Sequence, residues 1–224
     1  MDIHAKGVGV TGSHGPLLQP TSLRVRSGQL AVVAGEPGTG HTPLALVLAG
    51  RLRPNTGTVW LDGRVDAAAL RRGVALVDAP EVNAPEEGLS LADVVAEELT
   101  VAGARAGRRA VRQWLDEHDV DQPGSIRFAD VPARTRTRLL VELAAARPGV
   151  GALLIDSPDR HGDDPHQWWS LAESWAERGF AVVVLCTTSS ARLLGVTAAR
   201  LGETDQPDPL SLTLPTTAEL EESR

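Results

Sequence analysis

Residues 35–42 read Gly-Glu-Pro-Gly-Thr-Gly-His-Thr. The spacing G-x-x-x-x-G-K-[ST] builds a loop whose backbone N–H groups cradle phosphate. Its Lys reaches the β- and γ-phosphates, and its Ser/Thr hydroxyl holds Mg²⁺. Gly35, Gly38, Gly40 and Thr42 are in place, and His41 stands where the lysine belongs. A free imidazole titrates near about 6.5, carries little charge at neutral pH, and is shorter than a lysine side chain. The exchange implies a weakened or pH-dependent grip on phosphate or, more plainly, drift after selection for catalysis was lost.

A Gly/Pro/Thr cluster is often an ordinary turn, so the flanks decide. The loop follows Gln29-Leu30-Ala31-Val32-Val33-Ala34, a short apolar run that suits a buried strand. It precedes Pro43-Leu44-Ala45-Leu46-Val47-Leu48-Ala49-Gly50, which reads as a helix with Pro43 in its first turn. A missing N–H costs little there. Strand, glycine loop and helix together aim backbone N–H groups and a helix N-terminus at an anion.

Four further segments fall in order around this loop. Leu18 to Gly28 reads as opening strands, and Arg51-Leu52-Arg53-Pro54-Asn55-Thr56-Gly57-Thr58-Val59-Trp60-Leu61-Asp62-Gly63 follows the helix. Arg136-Thr137-Arg138-Leu139-Leu140 through Ala146-Arg147-Pro148 precedes the apolar run Ala152-Leu153-Leu154-Ile155-Asp156-Ser157-Pro158. In order and spacing, the stretch from Leu18 to Leu201 resembles the ATP-binding subunits of ABC transporters. The resemblance implies an α/β fold of the P-loop NTPase class and ABC ATPase type. That fold has a mainly parallel core sheet, an antiparallel N-terminal part and a helical subdomain. It also implies ATP and Mg²⁺ as cofactors. Gly35, Glu36, Pro37, Gly38, Thr39, Gly40, His41, Thr42 and Pro43 would surround the nucleotide, and Thr42 and Asp156 would attend the metal.

The same resemblance exposes departures. Ser157 occupies the position of the glutamate that polarises the attacking water, and general-base catalysis is worth about 10²–10⁴-fold. Thr188 occupies the switch-histidine position. The Q-loop glutamine falls at Ala79; the neighbouring Asp78 faces the other way if the strand persists. The signature loop reads Val131-Pro132-Ala133-Arg134-Thr135, with Pro132 for a hydroxyl donor and Ala133 and Arg134 for two glycines. Those glycines would have allowed close backbone approach. The adenine-stacking aromatic belongs near Thr11, yet the chain has no Tyr, and Phe128 and Phe180 lie far downstream. Losses this numerous point to little or no hydrolysis, and neither a homodimer nor a heterodimer with another ABC ATPase subunit restores a complete site.

The 224 residues suffice for one generous domain. Residues 1–202 are expected to form the nucleotide-binding domain, with a helical subdomain over about 89–130, and 203–224 an acidic tail, loose or partly docked. A formal charge of −7 disfavours a nucleic-acid partner. Arg105, Arg108, Arg109 and Arg112 make a local basic cluster, read first as a solvated helix face and otherwise as a contact for anionic lipid or a membrane partner. His161 and His166 lie among Asp159, Asp163 and Asp164; a solvated loop is the simpler reading than a metal site, and the resemblance sets Asp163 at the D-loop aspartate. Cys186 reads as packing in an apolar strand, and Trp168 and Trp175 as one face of a helix over about 165–178. No secretory signal is visible, and no apolar run approaches the roughly 18 residues that span a bilayer. By resemblance, the chain is expected to be cytoplasmic, peripheral at the inner face of the cell membrane through a membrane transporter subunit.

Overall fold

The computed structural model describes residues 1–162 and 164–212. The chain opens with a hairpin of β1 (Asp2–Gly12) and β2 (Gly15–Arg26), then β3 (Gln29–Gly35) and helix α1 (His41–Leu48). Next come β4 (Thr56–Leu61), α2 (Ala67–Gly73) and β5 (Val74–Val77). Three helices follow without a strand between them: α3 (Leu91–Val101), α4 (Arg108–Glu117) and α5 (Ala133–Ala145). The described chain closes with β6 (Ala152–Asp156), α6 (Pro165–Glu177), β7 (Ala181–Thr187), α7 (Thr188–Leu194), β8 (Ala199–Arg200) and β9 (Leu210–Ser211).

The strands form two sheets. The larger has the order β5-β6-β7-β3-β8 with every neighbour parallel, and β9 pairs antiparallel with the start of β3. The smaller is antiparallel, in the order β2-β1-β4. This is the α/β architecture that the family resemblance implied, with parallel core and antiparallel N-terminal part.

Burial explains the apolar runs. All of β6 and the first six residues of β7 are buried, because a parallel sheet is covered on both faces. Alternate residues serve two cores. Leu30, Val32, Leu153, Ile155, Val182 and Val184 join Leu139 and Leu143 of α5 and Trp168 of α6. Ala31, Val33, Leu154, Val183 and Leu185 join Leu44 and Leu48 of α1 and Ile3, Val8 and Val25 of the smaller sheet. Within the smaller sheet β1 and β4 cross closely at Gly57 (φ 74°), where a Cβ would lie 2.4 Å from the Gly7 backbone. Only glycine fits that crossing.

The helical segment has its own signals. Ser90 and Asp93 form a reciprocal capping box that starts α3. α4 buries Val111, Trp114 and Leu115, while Arg105, Arg108, Arg109 and Arg112 are exposed and have no ion-pair partner among the described residues. Trp168 is buried, and Trp175 is half-buried, edge-on to Phe180 with centroids 5.1 Å apart. Leu212 N donates to Gly28 O, so the chain beyond Glu203 runs back along β3; residues 213–224 of the acidic tail lie outside the described residues. Among the described residues no helix is long and apolar enough to cross a membrane.

Candidate functional site

The loop between β3 and α1 forms one wall of a cleft of about 640 Å³. Thr39 N and Oγ1 both donate to Glu36 O, at 3.1 and 2.6 Å, which folds residues 36–39 into a tight turn. Gly40 caps α1 at φ 119°, and a Cβ there would lie 2.7 Å from Leu17 O, so glycine is required. Gly38 (φ 83°) has open space where its Cβ would be and lines the cleft beside Pro37, Gly40, Thr42 and Pro43. The first N–H groups of α1 have no intrahelical partner and favour an anion at this end. The glycine cradle therefore fits phosphate.

The lysine substitute does not reach into that cradle. His41 is buried, and its Nε2 lies 3.0 Å from the carbonyl oxygen of Cys186 on β7. A carbonyl only accepts, so Nε2 carries the proton and the ring is turned beneath the loop. The side chain spends its donor on the core.

The two expected metal attendants do come together. Thr42 Oγ1 donates to Asp156 Oδ2 at 2.6 Å, and Ser157 Oγ donates to Asp156 Oδ1 at 2.9 Å. Asp156 is fully buried at the end of β6, so each carboxylate oxygen has one donor where water is excluded. A hydroxyl and a carboxylate oxygen side by side are a donor set that suits Mg²⁺. Ser157 adopts a left-handed conformation (φ 52°), and its hydroxyl is committed to Asp156. No carboxylate stands where the water-polarising group belongs.

At the Q-loop position the strand does not persist. β5 ends at Val77 and Asp78 turns left-handed (φ 55°), which reverses the alternation that would have pointed its side chain away. Asp78 is 4% exposed, with Arg160 Nη2 at 2.7 Å, His161 Nε2 at 2.9 Å and Arg136 Nη2 at 3.6 Å. Ala79, at the glutamine position, is buried and donates its N–H to Asn83 Oδ1 at 2.9 Å. The histidines and aspartates after β6 do not converge. His161 faces Asp78, His166 Nδ1 pairs with Asp164 Oδ1 at 2.8 Å, and Asp159 Oδ2 accepts from Thr187 N, Thr187 Oγ1 and Ser190 Oγ. Asp163 lies outside the described residues.

The switch position adjoins this last network without joining it. Thr188 is the first residue of α7, and Thr187 caps that helix by accepting from Ser190 N. Nearby, burial and then the Asp159 charge push the Cys186 thiol up to about 12. At the signature position, Pro132 precedes α5, and Ala133 and Arg134 lie inside its first turn. Their backbone is right-handed, so the glycine-specific conformations are gone. Arg134 is exposed.

Sequence reasoning missed Leu17 and Arg160 and read Asp159 as part of a solvated loop, whereas all three line the cleft. Leu17 is 50% exposed and lines the cleft, an apolar wall where the stacking aromatic is lacking. Its only signal was an apolar residue on the outward phase of β2. Nothing local marked Arg160, whose partners are 82 and four residues away in sequence.

Fold and cleft together define a phosphate-binding-loop nucleotide domain. A sequence profile described as ABC transporter matches residues 18–133, and the chain belongs to that family. It is 28% identical to the arabinose import ATP-binding protein AraG of Ralstonia nicotianae, over 84% of this chain and 41% of that one. It is 28% identical to the hemin import ATP-binding protein HmuV of Hahella chejuensis, over 89% of this chain and 81% of that one. The chain thus spans less than half of the arabinose relative and most of the hemin one. Among solved structures, the ATP-binding subunit of an ABC transporter superposes with a TM-score of 0.65 at 18% identity, covering 100% of this chain and 99% of that one. A nucleotide-free ATP-binding cassette from an ABC transporter gives a TM-score of 0.68 at 12% identity, covering 93% and 92%. At such identities the structures speak for the fold alone.

Proposed function

We propose that this chain is the ATP-binding subunit of an ABC importer, with a site that binds nucleotide weakly and hydrolyses it little or not at all. Its role is then to scaffold or regulate a membrane transporter subunit, as one half of a homodimer or of a heterodimer with another ABC ATPase subunit. The observation that carries this reading is Ser157, whose hydroxyl donates to Asp156 where a carboxylate should polarise water. A hydroxyl with its proton so placed is no general base at neutral pH.

Nucleotide binding is still supported. The glycine cradle and the α1 N-terminus hold phosphate, and Thr42 and Asp156 hold Mg²⁺, which would neutralise phosphate charge. In this reading residues 1–202 form the nucleotide-binding domain, and about 89–130 its helical subdomain. The partner is a membrane protein rather than nucleic acid, in keeping with the charge of −7. The chain sits at the inner face of the cell membrane through that partner. Import follows from the relatives' names and is part of the proposal.

Calorimetry with ATP, with and without Mg²⁺, tests the binding, and a phosphate-release assay tests the chemistry. Weak Mg²⁺-dependent binding without turnover is expected, and His41→Lys/Ser157→Glu is expected to raise turnover. Turnover by the unaltered chain would instead make it a slow but genuine ATPase, a reading that the intact Thr42–Asp156 pair favours. Absence of binding at millimolar ATP would leave a nucleotide-independent interaction protein.

A further inference from the structure

We infer that Arg160 is the cation that meets phosphate in this cleft, in place of the lysine missing from the loop; the inference rests on the reading that nucleotide still binds. The cleft lined by Gly38, Gly40 and Thr42 is also lined by Arg160. His41 also lines the cleft, but its Nε2 lies 3.0 Å from Cys186 O and that donor is turned to the core. Among the described residues Arg160 is the one arginine lining this cleft, which Glu81 and Asp159 also line. A single positive charge therefore decides whether a polyphosphate is tolerated, and Mg²⁺ at Asp156 must share the task.

The geometry of Arg160 suits the role. Its Nη1 donates to the carbonyl oxygens of Asp78 and Asp156, and Nη2 ion-pairs with Asp78 Oδ1 at 2.7 Å. These contacts fix the guanidinium beside the residue that carries the metal carboxylate. A guanidinium has five N–H donors. The Nε–H makes no hydrogen bond to the described residues, and Nη2 has a further proton to give. The side chain is 24% exposed and lines the cleft.

The charge balance points the same way. Asp78 is one carboxylate, yet Arg160, Arg136 and His161 all face it. Arg136 is 9% exposed at its side chain and its Nε has no partner. Arg160 and Arg136 together outweigh the Asp78 carboxylate, and with Glu81 and Asp159 also lining the cleft these arginines are what offsets acidic charge beside the cradle. Asp78 keeps Arg136 and His161 when Arg160 turns a donor to a ligand, so the shift leaves no bare carboxylate.

The test uses the full chain and calorimetric titration with ATP, ADP and adenosine in the presence of Mg²⁺. Arg160→Gln should weaken ATP binding by about tenfold or more, as loss of a charge-assisted hydrogen bond does. Adenosine should change little, and Arg160→Lys should retain most of the ATP affinity. His41→Lys should raise ATP affinity by a larger factor in the Arg160→Gln background than in the unaltered chain, because the two cations substitute for each other; equal factors in both backgrounds would mark the arginine as merely structural. A second measurement needs no variant: phenylglyoxal labelling of Arg160, read by peptide mass spectrometry, should be blocked by ATP and not by adenosine. Equal ATP affinity in Arg160→Gln, parallel losses for ATP and adenosine, or labelling unaffected by ATP would each overturn the assignment. If the unaltered chain binds no ATP at all, the functional reading fails first and takes this one with it.

Discussion

His41 Nε2 and the Cys186 carbonyl oxygen, 3.0 Å apart, tie the phosphate loop to the last buried residue of β7. A lysine in the same position of a working loop keeps its charge free for the ligand. Here the equivalent side chain is a structural strut.

His41→Lys should therefore separate two effects. Loss of the buried hydrogen bond should lower stability by about 0.5–1.5 kcal/mol, measured by denaturant unfolding. ATP affinity should rise by about tenfold, a gain equivalent to about 1.4 kcal/mol, measured by calorimetry. A rise in affinity with no loss of stability would show that the strut carries no weight.

Thr42 is expected to matter even without nucleotide. Its hydroxyl is the donor to Asp156 Oδ2, and Asp156 is fully buried. Thr42→Ala leaves a buried carboxylate oxygen short of its partner and should cost about 1–3 kcal/mol in urea unfolding. The same variant should abolish any effect of Mg²⁺ on ATP binding. Retained Mg²⁺ dependence would remove Thr42 from the metal's surroundings.

How much of this was readable in the chain differs by residue. The continuous apolar run from Leu30 to Ala34 and the glycines at 35, 38 and 40 are local signals, and they lead to a buried strand and a loop shaped by glycine backbone. The fate of Asp78 was not local. Whether β5 continues past Val77 depends on Arg160, His161 and Arg136, which arrive from 58 to 83 residues away in sequence. Likewise the direction of the His41 ring is set by a carbonyl 145 residues distant. Residue type at a motif position tells what chemistry is available, and only packing tells where it points.

Asp78 should be a stability hinge for that reason. Arg136 is buried against it and stacked over Phe128 at 4.8 Å. Asp78→Ala leaves a buried guanidinium uncompensated and should cost about 3–5 kcal/mol in denaturant unfolding. Asp78→Ala/Arg136→Met removes both charges and should recover a large part of that loss. Non-recovery would mean that Arg136 is held by Phe128 and its other neighbours rather than by Asp78.

Cys186 gives a pH-dependent prediction with a defined sign. Burial, helped by the Asp159 charge, raises its thiol from the ordinary 9.0 to about 12. Below pH 9.0 the thiol is protonated in folded and unfolded chains alike, and its contribution to stability is fully present. Between 9.0 and about 12 the unfolded chain ionises while the folded one does not, so stability falls as pH rises and levels off above that window. The native protein should also resist aromatic-disulfide reagents at pH 8, because the thiolate is the nucleophile and little of it forms in the fold. Rapid native labelling at pH 8, without prior unfolding, would show that β7 opens at this point. The His41 bond to the same residue's carbonyl should then open with it, and His41→Ala should label faster than the unaltered chain.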